Sequence, residues 1–135
     1  MIQIFSGNFA KVAVACSEAK QLYQGNCFES MGRDVGGRFR GDPGEAIHAC
    51  SNAPGGASRL HCLTGAVQDS FWDRSGQDHA LLFCKILKES AEKNICYGTI
   101  FTRAPQILSD KNDLQAFCSK VEGPFRKQCL ISTGL

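Results

Sequence analysis

The spacing of the eight cysteines is the feature that most constrains what this chain can fold into. The first members of four successive cysteine pairs lie 34 residues apart, at Cys16, Cys50, Cys84 and Cys118. The second members follow eleven or twelve residues later, at Cys27, Cys62, Cys96 and Cys129. A sequence period of this length is typical of proteins that stack one structural unit. We therefore expect a single helical-repeat domain, 1–135, with repeats at about 8–41, 42–75, 76–109 and 110–135.

The residues around each first cysteine predict an amphipathic helix, here called helix A. The positions four before, one before and three after that cysteine are apolar in every repeat: Val12, Ala15, Ala19, Ala46, Ala49, Ala53, Ala80, Phe83, Leu87, Leu114, Phe117 and Val121. Together with the cysteine they form the i, i+3, i+4, i+7 stripe of a helix whose cysteine faces inward. We expect the A helices near 8–19, 42–52, 76–90 and 110–121.

A second helix, helix B, is predicted around each second cysteine. A bulky residue follows that cysteine directly, at Phe28, Leu63, Tyr97 and Leu130. A small residue, and with it a close helix contact, is expected three positions after the cysteine, at Ser30, Gly65, Thr99 and Ser132. Asp42 with Pro43, and Ser109, are suited to start helices A of the second and fourth repeats. We expect the B helices near 24–35, 58–71, 93–103 and 124–133, and hence an all-α fold.

This arrangement selects one disulfide pairing among the many that eight cysteines allow. In an antiparallel helical hairpin, residues eleven or twelve apart lie at the same height on facing helices, within the Cα separation that a disulfide needs. The pairs expected are Cys16–Cys27, Cys50–Cys62, Cys84–Cys96 and Cys118–Cys129. The alternative links like positions of adjacent repeats, such as Cys16 and Cys50, but neighbouring A helices lie about 8–10 Å apart. Disulfides persist in oxidising compartments, so we expect an extracytoplasmic protein, periplasmic or secreted.

A helix–turn–helix unit with a 34-residue period resembles the tetratricopeptide repeat. Hairpins of this period that are linked by cystines also resemble the secreted Sel1-like proteins of bacteria. The resemblance covers essentially the whole chain. It implies an α-solenoid that binds polypeptides on a concave surface lined by the A helices, and it assigns no individual site residue.

Composition and charge exclude several classes of function. The chain is 43% hydrophobic and 21% charged with a net charge of +2, which is ordinary for a globular domain and gives no footprint of a nucleic-acid partner. No run approaches the roughly 20 apolar residues that span a bilayer. The N-terminal stretch has no basic region ahead of its apolar residues, so we expect no membrane span and no signal peptide within this chain.

Two other functions, metal binding and catalysis, stay open as alternatives to a binding scaffold. His48 and His61 lie near Cys50 and Cys62 in the sequence, which allows a metal-binding module with a Cys₂His₂ site. A hydrolase or thiol-dependent enzyme would use His48, His61 or His79. Neither a C-x-x-C motif nor a phosphate-binding loop is present, and we assign no catalytic residue, metal or cofactor.

The segment 32–44 carries Arg33, Arg38 and Arg40 among five glycines. It is expected to be a solvated connection between the first two repeats, and the alternative is a mobile anion-binding loop. Trp72 and Arg74 close the second repeat, and both residue types are frequent at the centres of interfaces. Packing against the third repeat would explain Trp72 equally well. We expect a non-enzymatic scaffold that binds a protein or peptide partner, with these five side chains as candidate contacts.

Overall fold

The computed structural model describes residues 8–135, and this range contains eight α-helices and no strand, which confirms the all-α prediction. The helices are α1 (Phe9–Glu18), α2 (Gln21–Arg38), α3 (Pro43–Cys50), α4 (Ala57–Ser70), α5 (Gln77–Ile86), α6 (Ser90–Ile107), α7 (Lys111–Ser119) and α8 (Gly123–Ser132). One turn of 3₁₀ helix, Arg74–Gly76, precedes α5. Every helix within 8–135 is too short or too polar to cross a lipid bilayer.

Short polar side chains begin several of these helices. Asp42 caps α3 by accepting a hydrogen bond of 3.2 Å from the backbone N–H of Glu45, and Pro43 occupies the first turn, as predicted. The cap of α7 is Asp110 and not the expected Ser109: its Oδ1 accepts from the N–H of Asn112 at 2.7 Å. A carboxylate at this position also interacts favourably with the positive end of the helix dipole.

Disulfides between facing cysteines join α1 to α2, α3 to α4, α5 to α6 and α7 to α8. The bonds are Cys16–Cys27, Cys50–Cys62, Cys84–Cys96 and Cys118–Cys129, with Cα separations of 5.5 or 5.6 Å. These are the pairs that the 34-residue period predicts, and like positions of adjacent repeats are not linked. All eight cysteines lie in the described range, and none of them is free.

The apolar stripes of the first helices face the core as predicted. All nine stripe residues of the second to fourth repeats are buried, while Ala15 and Ala19 of the first repeat are half-buried. Among the bulky residues after the second cysteines, Phe28, Leu63 and Tyr97 are buried, but Leu130 is 37% exposed. Leu130 differs from the other three because Cys129 is the one residue that α8 buries.

Helices α2 and α4 approach each other closely through glycine. A Cβ atom at Gly32 would overlap the carbonyl oxygen of Cys62, and one at Gly65 would overlap that of Glu29. At Gly36 an added Cβ would lie 2.6 Å from the carbonyl oxygen of Ala66. The absence of side chains at these glycines therefore lets the two helix backbones come into contact. Dispersion contacts between the backbones replace those that larger side chains would make.

This contact corrects two expectations from the sequence. Residues 32–38 belong to α2 and not to a connecting segment, because Gly32 and Gly36 pack on α4 and continue the helix to Arg38. Neither the flexible connection nor the mobile anion-binding loop is correct for that part of 32–44. The predicted rule of a close contact three positions after each second cysteine holds at Gly65 alone, since Ser132 is exposed and the others are half-buried.

The B helices of the first and third repeats are longer than predicted. Helix α6 runs from Ser90 to Ile107 and includes Pro105 in its last turn, where the pattern had suggested an end near residue 103. Helix α5 is shorter than predicted and ends at Ile86, because Leu87 has extended backbone angles. Leu87 is the last residue of the apolar stripe and is buried although it lies outside the helix. The apolar pattern therefore does not show where α5 ends.

A hydrogen-bond donor recurs three residues before each second cysteine, a regularity that the sequence reading missed. These donors are Gln24, Arg59, Lys93 and Arg126. In each repeat the side chain reaches the C-terminal end of the preceding helix: Gln24 donates to the carbonyls of Ser17 and Ala19, both at 3.0 Å, and Lys93 to that of Lys85 at 2.9 Å. Arg126 donates to the carbonyl of Val121 at 3.1 Å. Each donor satisfies backbone or side-chain acceptors that a helix end leaves open.

Two of these donors also connect successive repeats. Arg59 donates through Nε to Glu92 at 2.8 Å, and Glu92 is buried, with 9% of its side chain exposed. Lys93 lies 2.9 Å from both carboxylate oxygens of Glu122, and the Tyr97 hydroxyl donates to the same carboxylate at 2.8 Å. The charge pairs thus join α4 to α6 and α6 to the start of α8.

Candidate functional site

A groove of about 650 Å³ lies across the second helices of the first three repeats, and we call it the B-helix groove. Arg33 of α2 lies on one side, Gln68 and Asp69 of α4 with the adjacent Trp72 follow, and α6 forms the other side. The α6 residues are Ile95, Gly98, Thr99, Thr102, Arg103 and Gln106. The groove is open and combines one indole ring, two guanidinium groups and two side-chain amides.

Trp72 lines the groove, and Arg40 contacts its ring. The guanidinium carbon of Arg40 is 4.5 Å from the centre of the indole ring, within the range of a cation–π contact. Arg40 in turn donates from Nη2 to Asp69 at 3.0 Å. The half-buried indole is therefore positioned before any ligand arrives, and the Asp69 carboxylate is already neutralised.

Arg103 of α6 is anchored through one of its five donors. Its Nε donates to the carbonyl of Phe71 at 2.7 Å, and Phe71 is fully buried directly after α4. The two terminal nitrogens of Arg103 have no hydrogen-bond or ion-pair partner among residues 8–135. A guanidinium fixed in this way presents a planar pair of donors with little loss of side-chain entropy on binding.

Arg33 is the second guanidinium of the groove and is less constrained. Its side chain is 51% exposed and lies 3.6 Å from Glu29, a long ion pair along one face of α2. Glu29 also lies 3.5 Å from Nδ1 of His61. Because Asp69 is paired with Arg40 and Glu29 with Arg33, Arg103 is the charged residue of the groove that keeps no counter-ion within the described range.

The floor of the groove on α6 is bare at Gly98. A Cβ atom placed on Gly98 would have no atom within 4 Å, so space above the helix backbone is open there. Thr99 and Thr102 direct their hydroxyls to carbonyls of their own helix, at 2.8 and 3.0 Å. The amides of Gln68 and Gln106 have no hydrogen-bond partner within the described range, so both can bind the backbone of a ligand.

The structure brings together some of the five candidate contacts. Arg33 and Trp72 line the groove, and Arg40 contacts Trp72 from outside it. Arg74 lies elsewhere and forms an exposed ion pair of 2.9 Å with Asp113. Arg38 is exposed at the end of α2 and is not part of the groove.

Sequence reasoning missed the α6 side of the groove. Thr99, Thr102, Arg103 and Gln106 follow the i, i+3, i+4, i+7 spacing of one helix face, so a periodic search of polar residues would have found them. The resemblance to helical repeats had pointed instead to a surface lined by A helices. The groove described here is lined by the second helices of the repeats and by Trp72.

The three histidines lie on three different helices. His48 is exposed on α3, His61 contacts Glu29 from α4, and His79 on α5 lies beside Gly41. Cys50 and Cys62 are bonded to each other, which removes the two thiolates that a Cys₂His₂ metal site needs. Within residues 8–135 no three His, Cys, Asp or Glu side chains are grouped so that they could hold a metal ion.

Comparison with known proteins found no family model, no curated protein and no solved structure that matches this chain. The resemblance to tetratricopeptide and Sel1-like repeats therefore stays a prediction from the sequence.

Proposed function

We propose that this protein is a non-enzymatic scaffold that binds an extended peptide or protein segment in the B-helix groove. The observation that supports this most is the combination of a pre-positioned Trp72, an anchored Arg103 and two side-chain amides without partners in one open groove. Amides and arginine recognise the backbone and polar groups of a polypeptide, and tryptophan contributes apolar contact area.

The architecture that we propose for the scaffold is an α-solenoid of four disulfide-linked hairpins, similar to tetratricopeptide and Sel1-like proteins. Three features support it: the 34-residue period, a disulfide between the two helices of each repeat, and the hydrogen-bond donor that recurs three residues before each second cysteine. Ion pairs from Arg59 to Glu92 and from Lys93 to Glu122 connect one repeat to the next. Contacts between neighbouring units are what stabilise stacked repeats.

We place the protein in an extracytoplasmic compartment, periplasmic or secreted. Four disulfides that use every cysteine support this, because such bonds are rare where thiols are kept reduced.

A blocking substitution at Gly98 tests the binding function. Gly98→Leu places a side chain into the groove, where the position of its Cβ is open, with no atom within 4 Å. Peptides selected from a displayed random library on the wild-type protein are expected to bind the Leu variant at least about tenfold more weakly. Gly98→Ala is the matched control and should retain most of the affinity. Failure to enrich any peptide, or equal binding to the Leu variant, would contradict the proposed function.

Replacement of the histidines separates a scaffold from an enzyme with a histidine site. The triple variant His48→Ala, His61→Ala, His79→Ala should bind the selected peptides within about twofold of the wild type, because none of the three lines the groove. Ester and peptide substrates should be turned over by neither protein. Turnover by the wild type that the triple variant loses would favour the enzyme alternative.

A further inference from the structure

We propose that the B-helix groove selects a carboxylate, carried either by an acidic side chain or by a free peptide C-terminus, and that Arg103 receives it. This inference rests on the proposed peptide-binding function and names the chemistry of its ligand. It depends on three observations: the anchoring of Arg103, the pairing of the nearby acidic groups, and the two free side-chain amides in the same groove.

The first observation concerns the donors that Arg103 has left. Its Nε is used by the carbonyl of the buried Phe71 at 2.7 Å, so the guanidinium is held at the junction of α4 and α6. The two Nη groups have no partner in the described range, and Arg103 is one of the residues that line the groove. Two parallel N–H groups match the two oxygens of a carboxylate, and such bidentate contacts are among the stronger hydrogen bonds in proteins.

The second observation concerns the acids that could compete for Arg103. Asp69 also lines the groove, but Arg40 already contacts it at 3.0 Å. Glu29 lies between Arg33 and His61, at 3.6 and 3.5 Å. Neither acid pairs with Arg103, so the positive charge of Arg103 is left for a ligand. Electrostatic complementarity of this kind favours anionic partners and raises their association rate.

The third observation distinguishes a peptide from other anions. Gln68 and Gln106 offer amides that can both donate to and accept from a peptide backbone, and they line the same groove as Arg103. The whole chain carries a net charge of only +2, far from the basic surface of a nucleic-acid binder. A short acidic segment, or a chain end, fits this mixture better than a polyanion does.

The test uses three unlabelled heptapeptide pools that are randomised over uncharged residues and acetylated at the N-terminus. The first pool has a central Glu and an amidated end, the second a central Gln and an amidated end, and the third a central Gln and a free C-terminal carboxylate. Isothermal titration calorimetry should show at least about fivefold tighter binding for the first or the third pool than for the second. The pool that gains affinity identifies the source of the carboxylate.

Substitution of Arg103 connects that preference to its residue. Arg103→Gln should remove the preference for a carboxylate, while Arg103→Lys, which keeps the charge but lacks the fork, should keep only part of it. Arg74→Gln is the matched control, because it removes the same charge from an exposed ion pair outside the groove. Near-ultraviolet circular dichroism of each variant checks that the fold is retained.

The outcomes separate this inference from the function on which it rests. Equal binding of the three pools, abolished by Gly98→Leu, would overturn carboxylate selection and leave the peptide-binding function standing. A carboxylate preference that survives Arg103→Gln would overturn the role of Arg103. If no pool binds and library selection also fails, both the inference and the proposed function are wrong.

Discussion

Two glycines on neighbouring second helices have opposite reasons for lacking a side chain. At Gly65 of α4 an added Cβ would overlap the backbone of α2, whereas at Gly98 of α6 it would meet nothing within 4 Å. The first glycine is required by helix packing and the second leaves the B-helix groove open. Residue type alone does not distinguish the two, because the difference lies in which backbone faces each position.

This contrast predicts opposite effects of the same substitution. Gly65→Ala should destabilise the fold by about 3 kcal/mol, because two helix backbones must move apart. Gly98→Ala should stabilise it by up to about 1 kcal/mol through helix propensity. Urea unfolding followed by circular dichroism measures both. A loss at Gly65 no larger than about 0.5 kcal/mol would mean that α2 and α4 are further apart than described.

The Arg59–Glu92 pair gives a second prediction at this scale. Arg59→Met leaves a buried carboxylate without its cation and should cost about 3 kcal/mol, whereas Arg59→Met with Glu92→Leu should recover most of that loss. Arg74→Met, which breaks an exposed pair with Asp113, is the control and should cost less than about 1 kcal/mol. Similar losses for the two single variants would argue against a buried link between α4 and α6.

At the scale of helices, the polar contacts concentrate where one helix ends and the next begins. The four recurring donors, Gln24, Arg59, Lys93 and Arg126, each reach the end of the preceding helix. At the start of α8, Glu122 accepts from both Lys93 and Tyr97. Burial opposes ionisation of Glu122, but hydrogen bonds from Lys93 and Tyr97 outweigh it and hold the pKa of that carboxyl below its usual value.

The lowered pKa of Glu122 predicts an acid-sensitive contact between α6 and α8. A carboxyl whose pKa is depressed by folding contributes stability above its unfolded pKa, near 4.5, and loses that contribution as the pH falls through the folded value. Acidification from neutral pH to below 4 should therefore lower the melting temperature of the wild type more than that of Glu122→Gln.

Glu18→Gln is the matched control for this experiment, since Glu18 is exposed at the end of α1. It should follow the wild-type pH dependence. If Glu122→Gln and the wild type respond equally to acid, the carboxylate does not carry the contact.

Helix positions were largely predictable from the sequence, and helix lengths were not. The cysteine and its apolar stripe recur in every repeat, so local spacing alone places the helices and pairs the cysteines. The extension of α2 to Arg38 depends on glycines that contact α4, a helix of the next repeat. A local sequence pattern does not show a contact with the next repeat, and a glycine within a helical pattern predicts a break in the helix.

For the whole molecule, the two halves of the core are packed differently. Helices of the first two repeats approach each other through alanine and glycine. An aromatic cluster begins at Phe71, at the end of the second repeat, and continues in the last two repeats through Phe117, Phe101, Tyr97 and Phe125, at centroid distances of 4.4 to 6.4 Å. Small side chains remove less apolar area from water, so disulfides matter most in the first half.

The sequence predicts only part of the groove, because the groove is formed by helices from different repeats. Trp72 and Arg33 were identified by residue type, but the groove exists because α2, α4 and α6, from three different repeats, lie side by side. Arg103 becomes notable through its bond to the Phe71 carbonyl, which joins residues 32 positions apart. The sequence alone does not indicate that contact.

For the whole molecule we predict that each cysteine is paired with its neighbour along the chain, as in the four disulfides above. Non-reducing peptide mapping after cleavage between the cysteines should recover the four local pairs. Reduction should lower stability by about 3 kcal/mol for each loop of this size. Eight titratable thiols in protein isolated from its native compartment would contradict the extracytoplasmic location and favour the metal-binding alternative.

The connectivity of the disulfides also affects how the chain can mature. Each bond joins a cysteine to the next cysteine along the chain, and no bond encloses or crosses another. A chain that emerges N-terminus first therefore presents its thiols in the order in which they are to be oxidised. Each bond can form before the following pair of cysteines appears, so we expect a simple oxidant to give the native pairs with little need for an isomerase.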